Sequence, residues 1–230
     1  MTPRSPDSRH GTVYGVLLND RATQARMAPQ FGEPPYKAAP KAPVLYIKPR
    51  NTHAGDGVAV PIPAEPGRVR VDATIGLVIG RAAWRVSPAE AMQHVSGYVI
   101  ASDLTLPHDN YYRPAIRQRC RDLFCPMSAV FTAAAGFQVD DALLEVQIRN
   151  AAGDATHIWH RSFADLVRSA PQLLADVTEF MTLSPGDVLL LGPGEGSPNA
   201  HAGDTVVITV NGLGQLRHSL TQDITEGARA

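Results

Sequence analysis

Apolar residues along this chain fall mostly in short runs rather than at helical spacing. Thr12 to Leu18, Val44 to Ile47 and Val69 to Ile79 are compact apolar stretches closed by Asn19, Lys48-Pro49 and Gly80, and they read as strands. Tyr98 to Leu104 is another, with Asp103 delivered at its end. Leu143 to Arg149 alternates between apolar and polar positions and predicts a half-buried strand, with Asn150 to Asp154 as the hairpin turn. Val188 to Leu191, Thr205 to Val210 and Leu216 to Ile224 complete the strands, the first two entered through turns at Ser184 to Asp187 and His201 to Asp204.

Helical signals are fewer. Ser87-Pro88-Ala89-Glu90 has the form of an N-cap, a first-turn Pro and an acid in the first turn, and predicts a helix to about Val95. Phe163, Leu166, Val167, Leu173, Leu174, Val177 and Phe180 keep helical spacing, broken at Pro171, which predicts one helix before that residue and a second opening with it. Asn19 to Ala42 is polar and Pro-rich, and reads as a mobile segment with one short helix near Ala22 to Met27. Pro114 limits any helix in the basic, aromatic stretch Tyr111 to Asp122. Eight to ten strands with two or three short helices, not in regular alternation, exclude a doubly wound parallel sheet. The expected fold is α+β, mostly β, built as a mixed-sheet β-roll. Residues 11–225 form the expected single domain, after a disordered tail over 1–10.

Composition adds boundaries. Of the 230 residues 44% are hydrophobic but only 6% aromatic, so the core leans on Val, Leu, Ile and Ala. A formal net charge of −1 supplies no field for nucleic acid or an anionic membrane. Two cysteines, Cys120 and Cys125, make neither a disulfide framework nor a zinc site and suit a reducing cytoplasm. Cys125 beside Pro126, with no His near it in sequence, reads as a packing residue. His157 and His160 lack a third ligand and read as surface residues in a loop.

Several short motifs then occur in one order: Tyr46-Ile47-Lys48-Pro49, Leu77 to Gly80, Val95 to Tyr98, Ala101-Ser102-Asp103, Leu183 to Asp187, Gly192-Pro193, Gly203-Asp204 and Gly212 to Leu216. Together, from about Thr12 to Leu220, they resemble the fumarylacetoacetate hydrolase family. Pro35 to Lys41, Ile47 to Thr52, Tyr112 to Ile116, Cys120-Arg121-Asp122 and Phe124-Cys125-Pro126 are similar to the first half of the family's two-domain isomerase/decarboxylases of 4-hydroxyphenylacetate breakdown. In those enzymes two family domains are fused; the expectation here is one such domain acting as a separate first subunit.

The resemblance implies a β-roll, a divalent ion (magnesium, or manganese or calcium) and 2-oxo acids carrying further carboxylates as substrates. It implies decarboxylation of 5-oxopent-3-ene-1,2,5-tricarboxylate and isomerisation of 2-hydroxyhepta-2,4-diene-1,7-dioate, in a homodimer or a heterodimer with a second family subunit. The family's metal ligands, two Glu one residue apart on a strand and a later Asp, fall on Asp72, Thr74 and Asp103. Asp72 is one methylene short and Thr74 is neutral, which weakens the site. The His and Glu of hydrolytic members fall on Thr23 and Arg26, after Asn19. Neither is a water-activating base at neutral pH, so an acylpyruvate-type hydrolase is disfavoured.

The basic set suits a polycarboxylate: Lys48, Arg50, Arg113, Arg117, Arg119 and Arg121, with Asp109 and Asp122 as acids that some of them can bridge. Lys48 and Arg119 are the candidate catalytic residues, Arg119 standing where the family has Lys. Arg113, Arg121, Gly192 and Pro193 are the candidates for substrate binding, the Gly192-Pro193-Gly194 turn through backbone N–H groups. Two functions are consistent with these residues: a metal-dependent decarboxylase/isomerase subunit, and a weakened family-fold partner supporting an intact paralogous subunit.

Overall fold

The computed structural model describes residues 10–108, 111–132 and 137–223. Strand β1 (Val13–Leu17) leads into helix α1 (Arg21–Phe31) and then β2 (Val44–Lys48), β3 (His53–Ala54), β4 (Ala59–Ile62) and the long β5 (Arg68–Ile79). Helix α2 (Pro88–Ala91) precedes β6 (Val95–Thr105), followed by the single-turn α3 (Ile116–Arg119), β7 (Cys125–Pro126), β8 (Leu143–Arg149) and β9 (Ala155–Ser162). Helix α4 (Ala170–Thr178) is followed by β10 (Val188–Leu190), β11 (Asn199–His201), β12 (Thr205–Val210) and β13 (Gly214–Gln222). The architecture is mostly β with mixed sheets, as expected.

One sheet has the order β11-β5-β10-β1-β2, with β6 on the other edge of β5; β1 and β10 run parallel. A second has the order β4-β13-β12-β8-β9, and β3 pairs with β7 in a short ribbon. Their apolar faces meet in one large core that takes Val71, Ala73, Ile75, Leu77 and Ile79 of β5 together with Leu144, Val146, Ile148, Val206, Ile208 and Leu216 of the second sheet. Strand β5 is buried continuously from Val71 onward, Asp72 and Thr74 included, whereas β8 alternates because one face meets solvent.

Four expectations change. The segment after β1 holds an eleven-residue helix rather than a short turn of one. Asp20 caps it by accepting from the Thr23 backbone N–H at 2.8 Å and the Thr23 hydroxyl at 2.9 Å. Thr23, Met27 and Phe31 form its narrow buried stripe against Leu17 and Leu18. Pro29 sits in the last turn, where only one intrahelical donor is lost. Ahead of Pro171 there is no helix: Phe163 closes β9 into the core, and only Ala170–Thr178 is helical. The run from Ala155 to Ser162, containing His157 and His160, is a strand and not a loop. Its outward face is polar enough to mask the pairing with β8, across which His160 meets Glu145 at 3.0 Å. Strands number thirteen among the described residues, because several are only two or three residues long. Residues 1–9 of the expected tail over 1–10, Asp109 and Ile224 lie outside the described residues.

Candidate active site

The site is built on the pairing of β5 with β6. Asp72 and Asp103 are opposite one another in the register, and both are almost wholly buried. Two carboxylates facing across neighbouring strands repel, and the surrounding residues are cations. Arg70, two positions before Asp72 and so on the same face, grips it with both prongs, Nε to Oδ1 at 2.8 Å and Nη2 to Oδ2 at 3.1 Å. Arg119, at the end of α3, donates from Nη2 to Asp72 Oδ2 at 3.0 Å and from Nη1 to Asp103 Oδ2 at 2.8 Å. Lys48, at the end of β2, is fully buried; its ammonium lies 2.8 Å from Asp103 Oδ1 and donates to the carbonyls of Leu104 at 3.2 Å and Arg119 at 2.6 Å.

Tyr46 completes the cluster from the same face of β2 as Lys48. Its hydroxyl donates to Asp103 Oδ2, and its ring lies 4.8 Å from the Arg119 guanidinium. Gly15 lies opposite Tyr46 on β1, and any Cβ there would enter the ring. Burial by itself raises the Asp72 carboxyl, but the Arg70 and Arg119 charges outweigh it and hold the group below the usual carboxylate range. Burial also raises the Tyr46 hydroxyl far above its ordinary value, reinforced by the Asp103 charge.

A cavity of about 160 Å³ opens over Asp72 and Arg70. Leu18, Thr23, Arg26, Tyr111, Pro193 and the turn Gly194 to Ser197 form the rest of its wall. Lys48, Asp103 and Arg119 are not on that wall; they form a layer beneath it. At the mouth, Arg26 of α1 meets Glu195 at 2.7 Å, so that helix and turn clasp across the opening.

Of the residues expected from sequence, Lys48, Arg119, Asp72 and Asp103 are brought into one cluster, and Pro193 into the adjoining cavity. Thr74 is buried on the same strand, and its hydroxyl makes only a 3.4 Å contact with the Ile75 carbonyl. Arg113 is exposed, and Arg121 is half-buried with its guanidinium 4.0 Å from Asp223; neither lines the cavity. Gly192 has φ +93° and packs on the Val16 carbonyl, and its own carbonyl accepts from Arg161.

Sequence reasoning missed Arg70, Tyr46, Glu195 and Arg161. The first two were within reach, since each precedes a predicted site residue by two positions on a strand. Arg161 gave no signal: it is buried beneath the Gly192–Gly194 turn and 4.5 Å from the Phe163 ring, with Nε and Nη2 unpartnered, and burial pulls it down to about 10. It therefore stays charged at neutral pH.

The donor set was compared with the divalent ion that the sequence motifs imply. Such an ion needs several oxygens at about 2.0–2.1 Å for magnesium. Three of the four carboxylate oxygens accept hydrogen bonds from Arg70, Arg119 or Tyr46, the fourth, Asp103 Oδ1, is held by the Lys48 ammonium at 2.8 Å as an ion pair without a hydrogen bond, and Thr74 brings no charge. As arranged, these residues do not fit the ion. Among the described residues no group of three or more His, Cys, Asp or Glu is placed to hold one elsewhere.

The chain matches the family model described as fumarylacetoacetate (FAA) hydrolase C-terminal over residues 12–221. It is 36% identical over 213 residues to the 4-hydroxyphenylacetate degradation bifunctional isomerase/decarboxylase of Escherichia coli, a stretch that is 93% of this chain and 48% of that protein. The chain thus spans about half the length of the curated relatives it matches first. Among solved structures, the 5-carboxymethyl-2-hydroxymuconate delta-isomerase of Mycobacterium smegmatis superposes with a TM-score of 0.76 at 27% identity, over 94% of this chain and 80% of the other. The maleylpyruvate hydrolase of Sphingobium sp. SYK-6, solved with manganese(II) and pyruvate, shares the fold with a TM-score of 0.73 at 22% identity, over 93% and 71%. No described helix is long and apolar enough to cross a membrane.

Proposed function

Because the chain belongs to the fumarylacetoacetate hydrolase family, we propose that it supplies one half of a 5-oxopent-3-ene-1,2,5-tricarboxylate decarboxylase/2-hydroxyhepta-2,4-diene-1,7-dioate isomerase of 4-hydroxyphenylacetate breakdown. The observation that carries this reading is the 36% identity over nearly the whole chain to half of a bifunctional isomerase/decarboxylase. The structural relative named as a muconate isomerase points to the same substrate class.

The site chemistry agrees with carbon–carbon lysis without water attack. Arg26 on the cavity wall offers a planar cationic group to a carboxylate, and Arg70, whose fork is held by Asp72, adds positive charge beside it. When CO2 leaves, the electron pair of the broken bond moves through the substrate's carbon–carbon double bond into the conjugated oxo group, and the dienolate that forms, before it takes up a proton, needs fixed positive charge beside it. Arg70 supplies that charge at the cavity, and Arg119 and Lys48 add to the field from beneath. Thr23 and Arg26 offer no base to activate water, which disfavours a hydrolase.

A second reading, that this chain is a weakened half which supports an intact family domain, is favoured by one observation: both acids of the site are neutralised by cations of the chain itself. The half-sized match also favours pairing, as a homodimer or with a second family subunit. The test is CO2 release from the tricarboxylate by the purified chain, alone and mixed with a second family domain carrying the full Glu-x-Glu and Asp set. Turnover by the chain alone supports the first reading. Turnover only in the mixture, above that of the added domain, supports the second. No turnover and no enhancement would reject both.

A further inference from the structure

We infer that Arg119 is a resident cation standing where a divalent ion would otherwise bridge Asp72 and Asp103, so that this site operates without metal. Direct opposition of the two acids in the β5–β6 register demands a positive charge between them. Arg119 supplies it with separate nitrogens aimed at separate carboxylates, 3.0 and 2.8 Å away. It is itself only 2% exposed and is fixed on three sides. Its backbone carbonyl accepts from Lys48, its guanidinium lies by the Tyr46 ring, and its backbone N–H bonds to the Ala115 carbonyl. An ion entering from the cavity would have to evict this side chain rather than displace water.

Charge balance argues the same way. Asp72 and Asp103 face Arg70, Arg119 and Lys48 in direct contact. The cluster is already positive by one, and a dication would be added to an excess of cations at short range in a poorly screened interior. Metal sites of this class depend on the opposite balance, with carboxylates in excess. Thr74 fits this account, since a third buried carboxylate beside Asp72 would have only the same cations to share, whereas a neutral hydroxyl leaves the balance intact.

The inference concerns ion binding and does not rest on the proposed reaction, so the two can fail separately. The experiment is titration of the full chain with Mn2+, read by calorimetry and by the electron paramagnetic resonance signal of free ion. The comparison proteins are Asp103→Asn and the double variant Thr74→Glu/Arg119→Gln, with folding monitored by circular dichroism. The expected result is no stoichiometric uptake by the natural chain, and one Mn2+ per chain in the folded double variant. Stoichiometric uptake by the natural chain that disappears in Asp103→Asn overturns the inference. So does a folded double variant that takes up no ion, since the guanidinium would then not be what excludes it. Uptake unaffected by Asp103→Asn lies away from the opposed acids, and the absence of any Asp103-dependent uptake supports the inference. If the double variant fails to fold, the melting temperature of the natural chain decides: indifference to Mn2+ supports the resident cation, and a rise that Asp103→Asn abolishes rejects it.

Discussion

Asp72 and Asp103 are direct cross-strand partners in the heart of the molecule, and a single guanidinium, Arg119, joins them. Removing it leaves two buried carboxylates face to face. Arg119→Gln is expected to cost ~3–5 kcal/mol, the usual penalty for orphaning a buried charge, measured by urea unfolding at neutral pH. The pH dependence should also reverse. In the natural chain the Asp72 carboxyl is held below its ordinary value. Its stability contribution is thus present above the unfolded pKa and is lost as pH falls through the lower folded one. In the variant one acid of the opposed pair should hold its proton to higher pH than in the unfolded chain, so the deficit should shrink as pH falls towards 5. A deficit that stays constant between pH 7 and 5 would show that the acids do not sense each other.

The Tyr46 ring passes over Gly15 on the neighbouring strand, so closely that no side chain is tolerated there. Gly15→Ala should therefore displace the ring and break its contacts with Asp103 and Arg119, at a cost of ~1–3 kcal/mol for overpacking. Pairing it with Tyr46→Leu should give a double variant less destabilised than the sum of the two singles, because the clash disappears with the ring. Strict additivity in thermal melts would mean that the glycine is required for backbone reasons instead.

Two members of the cluster, Lys48 and Asp103, were legible as residues that close apolar runs, whereas Asp72 and Arg119 were singled out only through the family resemblance. Lys48 and Asp103 end apolar runs, and the alternation that places them also fixes Tyr46 and Arg70 on the same faces. What periodicity does not convey is who fills the space between strands. By spacing alone Arg119 is one of several arginines in a basic stretch, and only its place at the end of the single turn α3, packed against β6, buries it while Arg113 and Arg117 are exposed. The same limit explains α1. Its buried stripe is one residue per turn, too narrow to stand out among polar and proline positions, and its stability comes from the Asp20 cap and tertiary contacts. For β9 the polar face concealed a strand whose pairing with β8 is set by a partner the alternation alone does not identify.

His218 of β13 is buried with its Nε2 2.9 Å from the Ser102 hydroxyl, next in sequence to Asp103. Burial, outweighing a backbone contact at Ser219, pulls its pKa down to about 4 from an ordinary 6.5. The folded state then binds fewer protons than the unfolded chain between those values, so stability rises with pH across that window and is fully present above it. The contribution lost on acidification is about 3 kcal/mol. His218→Gln keeps a polar partner for Ser102 and should flatten the unfolding free energy between pH 4.5 and 6.5 by up to one proton's worth of slope. An identical slope in the variant would assign the acid sensitivity to other groups.

The clasp between Arg26 and Glu195 closes the cavity mouth with side chains that are about half and one-third exposed. Such a pair is screened by water and contributes ~0.2–1 kcal/mol to stability, so Arg26→Gln, Glu195→Gln and the double variant should melt within a few degrees of the natural chain. Its influence on access should be larger than its influence on stability, because the cavity beneath, at about 160 Å³, is below the ~300–1,000 Å³ typical of small-molecule pockets. A polycarboxylate must part helix α1 from the 194–197 turn to enter. Glu195→Gln should therefore lower KM for such a substrate by weakening the clasp and by removing a negative charge from the entrance, while Arg26→Gln opens the same mouth but forfeits a cation. Steady-state assays of whichever assembly releases CO2 separate the two effects: the Glu195 variant should gain in kcat/KM and the Arg26 variant should not. Equal losses in both would mean that the ion pair orients substrate in its closed form rather than gating its entry.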